Sequence, residues 1–238
     1  MITINRIAEF SRVLLTWQPK SGGTRYVVGQ MEGSQATGYT FEYLPEQSDF
    51  ATAKEKGFVG FPAFNDKIRL HEHNVLDPFV RRLPPKSRGD FKNYLKSHLL
   101  PEDFADTKSL FSLLAYTGAK SPGDGFSLVP DLSTAKPEVF DFPLEVAGTR
   151  YRQGLNLEQV TIGDSVELYP EPSNHFDPQA IAVTHHSGTL GYVNRVLCPF
   201  IHTKLEQSQI RARVAKKNGT AERPLIYLVV SVGEMTES

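Results

Sequence analysis

Six short runs rich in aliphatic and β-branched side chains, at 144–146, 165–168, 180–183, 190–193, 210–214 and 225–232, fill much of the second half of the chain, with Gly, Asn or Pro in the gaps between them. Runs this short bury too little surface to stand alone, and the turn residues between them send the chain back beside itself. The spacing therefore predicts a small, mostly β barrel. One segment breaks the pattern. In 196–207, Leu197, Ile201 and Leu205 fall at helical spacing, so a helix is expected to cross the end of the barrel.

The first half reads differently. Residues 13–17 and 26–30 are short strands on either side of Pro19-Lys20-Ser21-Gly22-Gly23, which suits a hairpin loop. Tyr39, Phe41 and Tyr43 alternate onto one strand face and are expected in the core rather than as a stacking platform. The aromatic, glycine-containing stretch 58–64 reads as a strand with a close backbone approach. Helices are expected over 76–83 before Pro84-Pro85, over 91–100 between an Asp90 cap and Pro101, and over 108–117. Asp106 or Thr107 would cap the last of these and Gly118 would end it. A return strand follows at 126–129. Residues 131–138 are polar, contain Pro137 and show no period. The fold class is thus α+β: a mixed strand and helix domain over 1–132, a linker over 133–143, and a mostly β barrel with one or two helices over 144–238.

With 39% apolar and 22% charged residues, 238 residues are enough for two ordinary cores. No apolar run approaches the roughly 20 residues that span a bilayer, and Met1-Ile2-Thr3-Ile4-Asn5-Arg6 has none of the parts of a secretory leader. A cytoplasmic location is expected. The single Cys198 excludes an internal disulfide and a cysteine-rich zinc site, and reads as a small buried thiol. A net charge of -1 argues against general binding of polyanions, which needs many phosphate contacts. Between Glu145 and Gly233 nine Lys and Arg stand against eight Asp and Glu. Any nucleic-acid contact there should involve few phosphates, as recognition of an end would.

Several patterns invite a function and carry none. Gly118-Ala119-Lys120-Ser121-Pro122-Gly123 has its lysine before the second glycine and follows a helix, which is the wrong order and context for a phosphate loop. His71 and His73 would share a strand face, but two imidazoles are too few for a metal site. His185-His186 before Ser187-Gly188 suits a hairpin turn. Arg81, Arg82, Lys86, Arg88, Lys92 and Lys96 form the most basic window, against only Asp90, and read as a solvated face, with an auxiliary phosphate contact or a surface for an acidic partner as the alternative. No nucleophile and base, metal set or cofactor loop stands at recognisable spacing, so neither enzymatic activity nor a cofactor is expected.

One stretch holds more chemistry. In Asn174-His175-Phe176-Asp177-Pro178-Gln179-Ala180-Ile181-Ala182-Val183 a polar turn, extended before Pro178, feeds a core-type strand. Together with Gly148-Thr149-Arg150-Tyr151 before it and Gly191-Tyr192-Val193 after it, this turn resembles the HIRAN domain, over about 145–232. The resemblance implies an OB- or SH3-like barrel that binds 3′ ends of single-stranded DNA through the Arg-Tyr and Phe-Asp positions. Phe176 and Tyr151 would offer ring faces to bases. The Asp177 carboxylate accepts a hydrogen bond from a free hydroxyl and repels a phosphate, which would select an end. Arg150 and Arg152 would pair with a phosphate or base edge, Tyr192 would close one wall, and Asn174 and His175 complete the set. Phe176 stands where some members have tyrosine, and Arg152 where another family has an aromatic. The residues also permit a plainer reading, in which Asn174 and Asp177 bond the turn backbone, Phe176 fills the barrel mouth and Tyr151 is core.

The order of strands, Pro-ended helix, Leu110-Phe111-Ser112-Leu113-Leu114 and Phe126-Ser127-Leu128-Val129-Pro130 over 12–130 resembles the N-terminal subdomain of HipA-type toxin kinases. Nothing after Pro130 supplies that family's kinase core. The expected protein is therefore a non-enzymatic binder of single-stranded DNA 3′-hydroxyl ends whose N-terminal domain engages another protein, such as a HipA-like kinase core, an antitoxin, a helicase or a nuclease. The rival expectation is a regulatory, protein-binding subunit of a HipA-like toxin-antitoxin or defence system without end recognition.

Overall fold

The structure, a computed structural model, describes residues 1–152, 157–220 and 222–233. It divides into two compact units: Glu9–Tyr94 with Asp103–Ala135, and Met1–Ala8 with Leu95–Glu102 and Lys136–Ser238. The division at Ala135 falls inside the expected linker 133–143. Met1–Ala8 and Leu95–Glu102, which the sequence placed in the first domain, group with the C-terminal unit. Backbone hydrogen bonds explain this: Ile2 N–H donates to the Ala215 carbonyl at 3.0 Å, and Ile4 N–H to that of Leu99 at 2.8 Å. The end of the expected 144–238 domain, 234–238, lies outside the described residues.

The N-terminal unit is built on an antiparallel sheet of β1 (Arg12–Trp17), β2 (Tyr26–Ser34), β3 (Gly38–Tyr43), β4 (Leu70–His71) and β5 (Phe126–Pro130), in the order β4-β3-β2-β1-β5. Phe41 and Tyr43 are buried as expected. The stretch 58–64 is a loop and not a strand. Its amides find a partner off the sheet: the Tyr43 hydroxyl accepts from Phe61 N–H and donates to the Phe64 carbonyl, each at 2.9 Å. Phe61 stacks on Phe79 and Phe64 on Phe41, with centroids 4.7 and 4.5 Å apart, so the rings anchor a loop whose backbone the hydroxyl satisfies.

Helices here are shorter than the sequence suggested. The helix α1 (Ser48–Glu55) was not foreseen; α2 (Asp77–Val80) and α3 (Phe91–Ser97) are trimmed versions of 76–83 and 91–100, and α4 (Phe104–Thr107) precedes α5 (Leu110–Thr117). The cap of α5 is Ser109, whose hydroxyl accepts from Ser112 N–H, rather than Asp106 or Thr107. Gly118, left-handed at φ 71°, ends it as expected.

The C-terminal unit is an antiparallel sheet of β6 (Phe140–Glu145), β7 (Ser165–Pro170), β8 (Ile181–His185), β9 (Gly188–Tyr192), β10 (Ile210–Gly219) and β11 (Pro224–Val232), ordered β6-β11-β10-β7-β8-β9. Ile226, Leu228, Val230 and Val232 alternate inward, facing a core that also takes Phe140, Phe142, Val214, Leu168 and Val183. The helix α6 (Cys198–Glu206) is the one expected over 196–207. The expected small barrel takes the form of a curled, six-stranded half-barrel. Its two edges meet at a single bridge, where Ala147, just past β6, exchanges hydrogen bonds of 2.8 Å in both directions with Tyr192 on β9. Gly191 makes this approach possible: a Cβ there would lie 2.3 Å from the Ala147 carbonyl oxygen and 2.7 Å from Val146 Cγ1.

No helix among the described residues is long and apolar enough to cross a membrane. A buried carboxylate ties the N-terminal segment to the sheet. Asp141 accepts from Arg6 Nη2 and Ser231 Oγ, each at 2.7 Å, and from the Arg6 and Asn5 amides. Burial pushes its pKa up, but these donors outweigh burial and hold it below the ordinary carboxylate range.

Two outcomes follow from these contacts. Asp141→Asn should cost roughly 2 kcal/mol at neutral pH, read from urea midpoints. Because the folded pKa is depressed, Asp141's contribution is whole above the ordinary Asp value, about 4, and is lost as pH falls through the lowered one. The gap between wild type and variant should therefore shrink in acid; a gap that stays constant would show that the charge is immaterial. Gly191→Ala should destabilise by about 1–3 kcal/mol through overlap with Ala147, and hydrogen exchange at the Ala147 and Tyr192 amides should speed up more than at β10 and β11.

Candidate functional site

The expected site residues lie at the place where the sheet edges meet. The loop 171–180 joins β7 to β8, and Asn174 organises it. Its Oδ1 accepts from the Phe176 amide at 3.0 Å and the Asp177 amide at 3.2 Å, while its Nδ2 donates to Glu171 Oε2 at 2.8 Å and approaches the Tyr192 hydroxyl at 3.4 Å. The amide of Asn174 is thus engaged by the loop itself. Asp177 Oδ1 accepts from Gln179 N–H at 2.9 Å, which fixes the turn into Pro178. Asp177 Oδ2 has no hydrogen-bond partner among the described residues, and the residue is half-buried.

This tight backbone throws the ring of Phe176 outward, where it is 99% exposed. His175 beside it is exposed as well. The reading of Phe176 as a plug for the barrel mouth is corrected here: two amides held by Asn174 fix the backbone so that the ring points away from the core. Tyr151, 69% exposed, is likewise not a core residue. It belongs to the 3-10 turn Thr149–Tyr151, entered through Gly148 at φ 76°. The Arg150 guanidinium lies 4.6 Å from the centre of the Tyr151 ring and bonds its hydroxyl.

Tyr192 joins these pieces. Its backbone holds Ala147, which positions the turn carrying Arg150, Tyr151 and Arg152. Its hydroxyl donates to Glu171 Oε2 at 3.0 Å, the oxygen that also receives Asn174. The Arg152 guanidinium lies 4.6 Å from the centre of the Tyr192 ring. Among the described residues the buried Arg152 Nε has no hydrogen-bond partner, which is costly for a cation donor unless another group supplies the acceptor. Glu171 escaped the sequence reading because an acidic residue three before Asn174 carries no signal of its own.

Other groups that drew attention have structural partners. Arg82, Lys86, Arg88 and Lys96 of the basic window pair with Asp124, Asp106, Asp90 and Glu102, so much of its charge is neutralised locally. His71 Nε2 lies 3.1 Å from the Ile68 carbonyl and 3.2 Å from that of Asn65. No group of three or more metal-type ligands occurs among the described residues. Burial, aided by the Asp177 charge, pushes the Cys198 thiol up to about 11, far from a reactive thiolate.

The fold also assembles a chain that sequence spacing hid. Asp164 Oδ2 lies 3.0 Å from His185 Nε2, and His185 Nδ1 lies 2.7 Å from Ser187 Oγ. The connectivity is that of a nucleophile, base and acid, but the His185 side chain is 0% exposed and its Nδ1 already accepts the Ser187 amide at 3.2 Å. A base sealed from solvent cannot hand a proton to a substrate, so this chain braces the β8–β9 hairpin against the 161–164 turn.

Comparison with known proteins agrees with the C-terminal half of this picture. The HIRAN domain family matches residues 139–231. Among solved structures, the HIRAN domain of human HLTF is 23% identical, covering 39% of this chain and 74% of that one at a TM-score of 0.32. A structural-genomics target from Lactobacillus plantarum is 24% identical, covering 39% and 94% at 0.33. Likenesses this slight carry no argument by themselves. No curated protein matches the chain. The family match does not extend to the N-terminal unit, and the resemblance to HipA-type kinases gains no support from it. The HIRAN domain family match thus covers residues 139–231, less than half of this chain.

Proposed function

We infer that the C-terminal unit binds single-stranded DNA and selects a 3′-hydroxyl end. The observation that carries this reading is the solvent-facing ring of Phe176, held on a braced loop one residue from a carboxylate with an unused oxygen. Exposing such a ring forgoes about 1.5–3 kcal/mol of burial, and a base stacked on it returns a gain of similar size. The match of 139–231 to the HIRAN family supports the same ligand. The roles divide by chemistry. Phe176 and Tyr151 stack bases, and Arg150, paired with Tyr151, meets a base edge or phosphate. Asp177 Oδ2 accepts the terminal hydroxyl and repels a phosphate placed there. Arg152, with its guanidinium over Tyr192, is suited to the backbone phosphate next to the end. Asn174 positions the loop, and His175 flanks Phe176 at its tip.

The N-terminal unit contributes none of these groups, and its role in this reading is contact with another protein. The exposed apolar side chains Val59, Ile68 and Leu70, close together in sequence, support such a role.

Fluorescence anisotropy with one short oligonucleotide, ending in a 3′-hydroxyl, in a 3′-phosphate or as a blunt duplex, tests the inference. The hydroxyl end should bind at least about tenfold more tightly than the phosphate end, a difference of about 1.4 kcal/mol. Asp177→Ala should remove that preference and keep affinity for both ends, and Phe176→Ala should weaken both roughly tenfold. Equal binding of the three forms would sink the proposal.

A further inference from the structure

Beyond the terminal nucleotides, the outer face of the sheet carries an aromatic side chain that the end-binding groups do not use. Tyr169, on β7, is in register with Ala182 on β8, and Ala182 is in register with Tyr192 on β9. Cross-strand partners point to the same side, so Tyr169 and Tyr192 stand on one face two strands apart, about 9.6 Å along the hydrogen-bonding direction. The inward face is settled independently by Leu168 and Val183, which pair with each other and are buried. Glu171, which receives the Tyr192 hydroxyl, follows Tyr169 by two residues, as a shared face requires. The ring of Tyr169 is 62% exposed. Between the two tyrosines on this face stands Ala182, a small side chain that is itself buried.

Both cations and carboxylates border this row. The Arg152 guanidinium lies over Tyr192 at one end. Arg213 on β10 is exposed and pairs in register with Ser165, on the Tyr169 side of β7 but about 13 Å along the strand from it. Glu167 also faces this side, between Ser165 and Tyr169, which disfavours a phosphate there and leaves the bases to face β7.

We propose that Tyr169 is an additional stacking platform, which takes a base of the same single strand upstream of its captured end after the strand has crossed Tyr192 and Arg152. This rests on the end-binding reading above and extends its footprint across the sheet, within the about 4–16 nucleotides that small β barrels of this kind engage. The exposed Tyr169 ring is the group concerned.

The test compares a three-nucleotide and a ten-nucleotide oligothymidylate, both with free 3′-hydroxyls, by anisotropy on the full chain. Tyr169→Ala should lower affinity for the longer strand about tenfold and leave the shorter one unchanged, while Tyr169→Phe should restore the long-strand affinity because it keeps the ring. Equal losses on both lengths, or no loss on either, would overturn the platform while leaving end binding in place. A wild-type chain that binds neither strand would instead overturn the end-binding reading and this inference with it. Tyr169 is exposed, so circular dichroism of the alanine variant should match the wild type, which keeps a folding defect from imitating the result.

Discussion

The meeting of two sheet edges at Ala147 and Tyr192 is the contact on which the C-terminal unit depends. A curled sheet of six strands leaves two edges with unpaired amides and carbonyls. Here one pair of backbone hydrogen bonds joins them, and it forms only because Gly191 has no Cβ to strike the Ala147 carbonyl. Its consequence is local as well as global. The turn with Arg150, Tyr151 and Arg152 starts just past Ala147, and the ring of Tyr192 starts from the other partner, so a backbone contact sets the distance between groups far apart in the chain.

The loop with Phe176 and Asp177 is joined to that contact by side chains. Tyr192 donates to Glu171, Glu171 receives Asn174, and Asn174 holds the amides of Phe176 and Asp177. Apart from the exposed bond to the Phe176 amide, these links satisfy polar groups partly removed from solvent, so removing one leaves another unpaired. A loop fixed this way has little conformational entropy left to lose on binding, which makes an exposed ring useful as a platform. The buried His185, held between Asp164 and Ser187, stiffens the β8–β9 hairpin by the same means.

The N-terminal unit solves a similar problem with rings. Phe41, Tyr43, Phe61, Phe64 and Phe79 pack around a loop that has no strand ladder, and the Tyr43 hydroxyl stands in for the missing partners of Phe61 and Phe64. Aromatic spacing in 58–64 suggested a strand because the same residues that alternate in a sheet also fill a core from a loop. The helix α3 stops short for another reason: Leu99, in the left-handed region at φ 62°, cannot continue it although the hydrophobic pattern runs on.

The sequence alone determined the α+β class, most strands of the second half, the helix at 198–206, the inert thiol, and the motif residues that the HIRAN family match covers. These depend on local periodicity and turn chemistry, which act over a few residues and are written in order along the chain. Tertiary structure alone decided that the barrel is half-open, that Met1–Ala8 and Leu95–Glu102 group with the C-terminal unit, and that 58–64 is a loop. It also decided that Asn174 serves the loop, that Phe176 faces water, and that Tyr192 rather than Asp177 is where the parts converge. Those outcomes depend on pairings across many tens of residues, such as Ala147 with Tyr192 and Asp164 with His185, and no period or spacing encodes which distant partner a backbone amide or a buried imidazole will find.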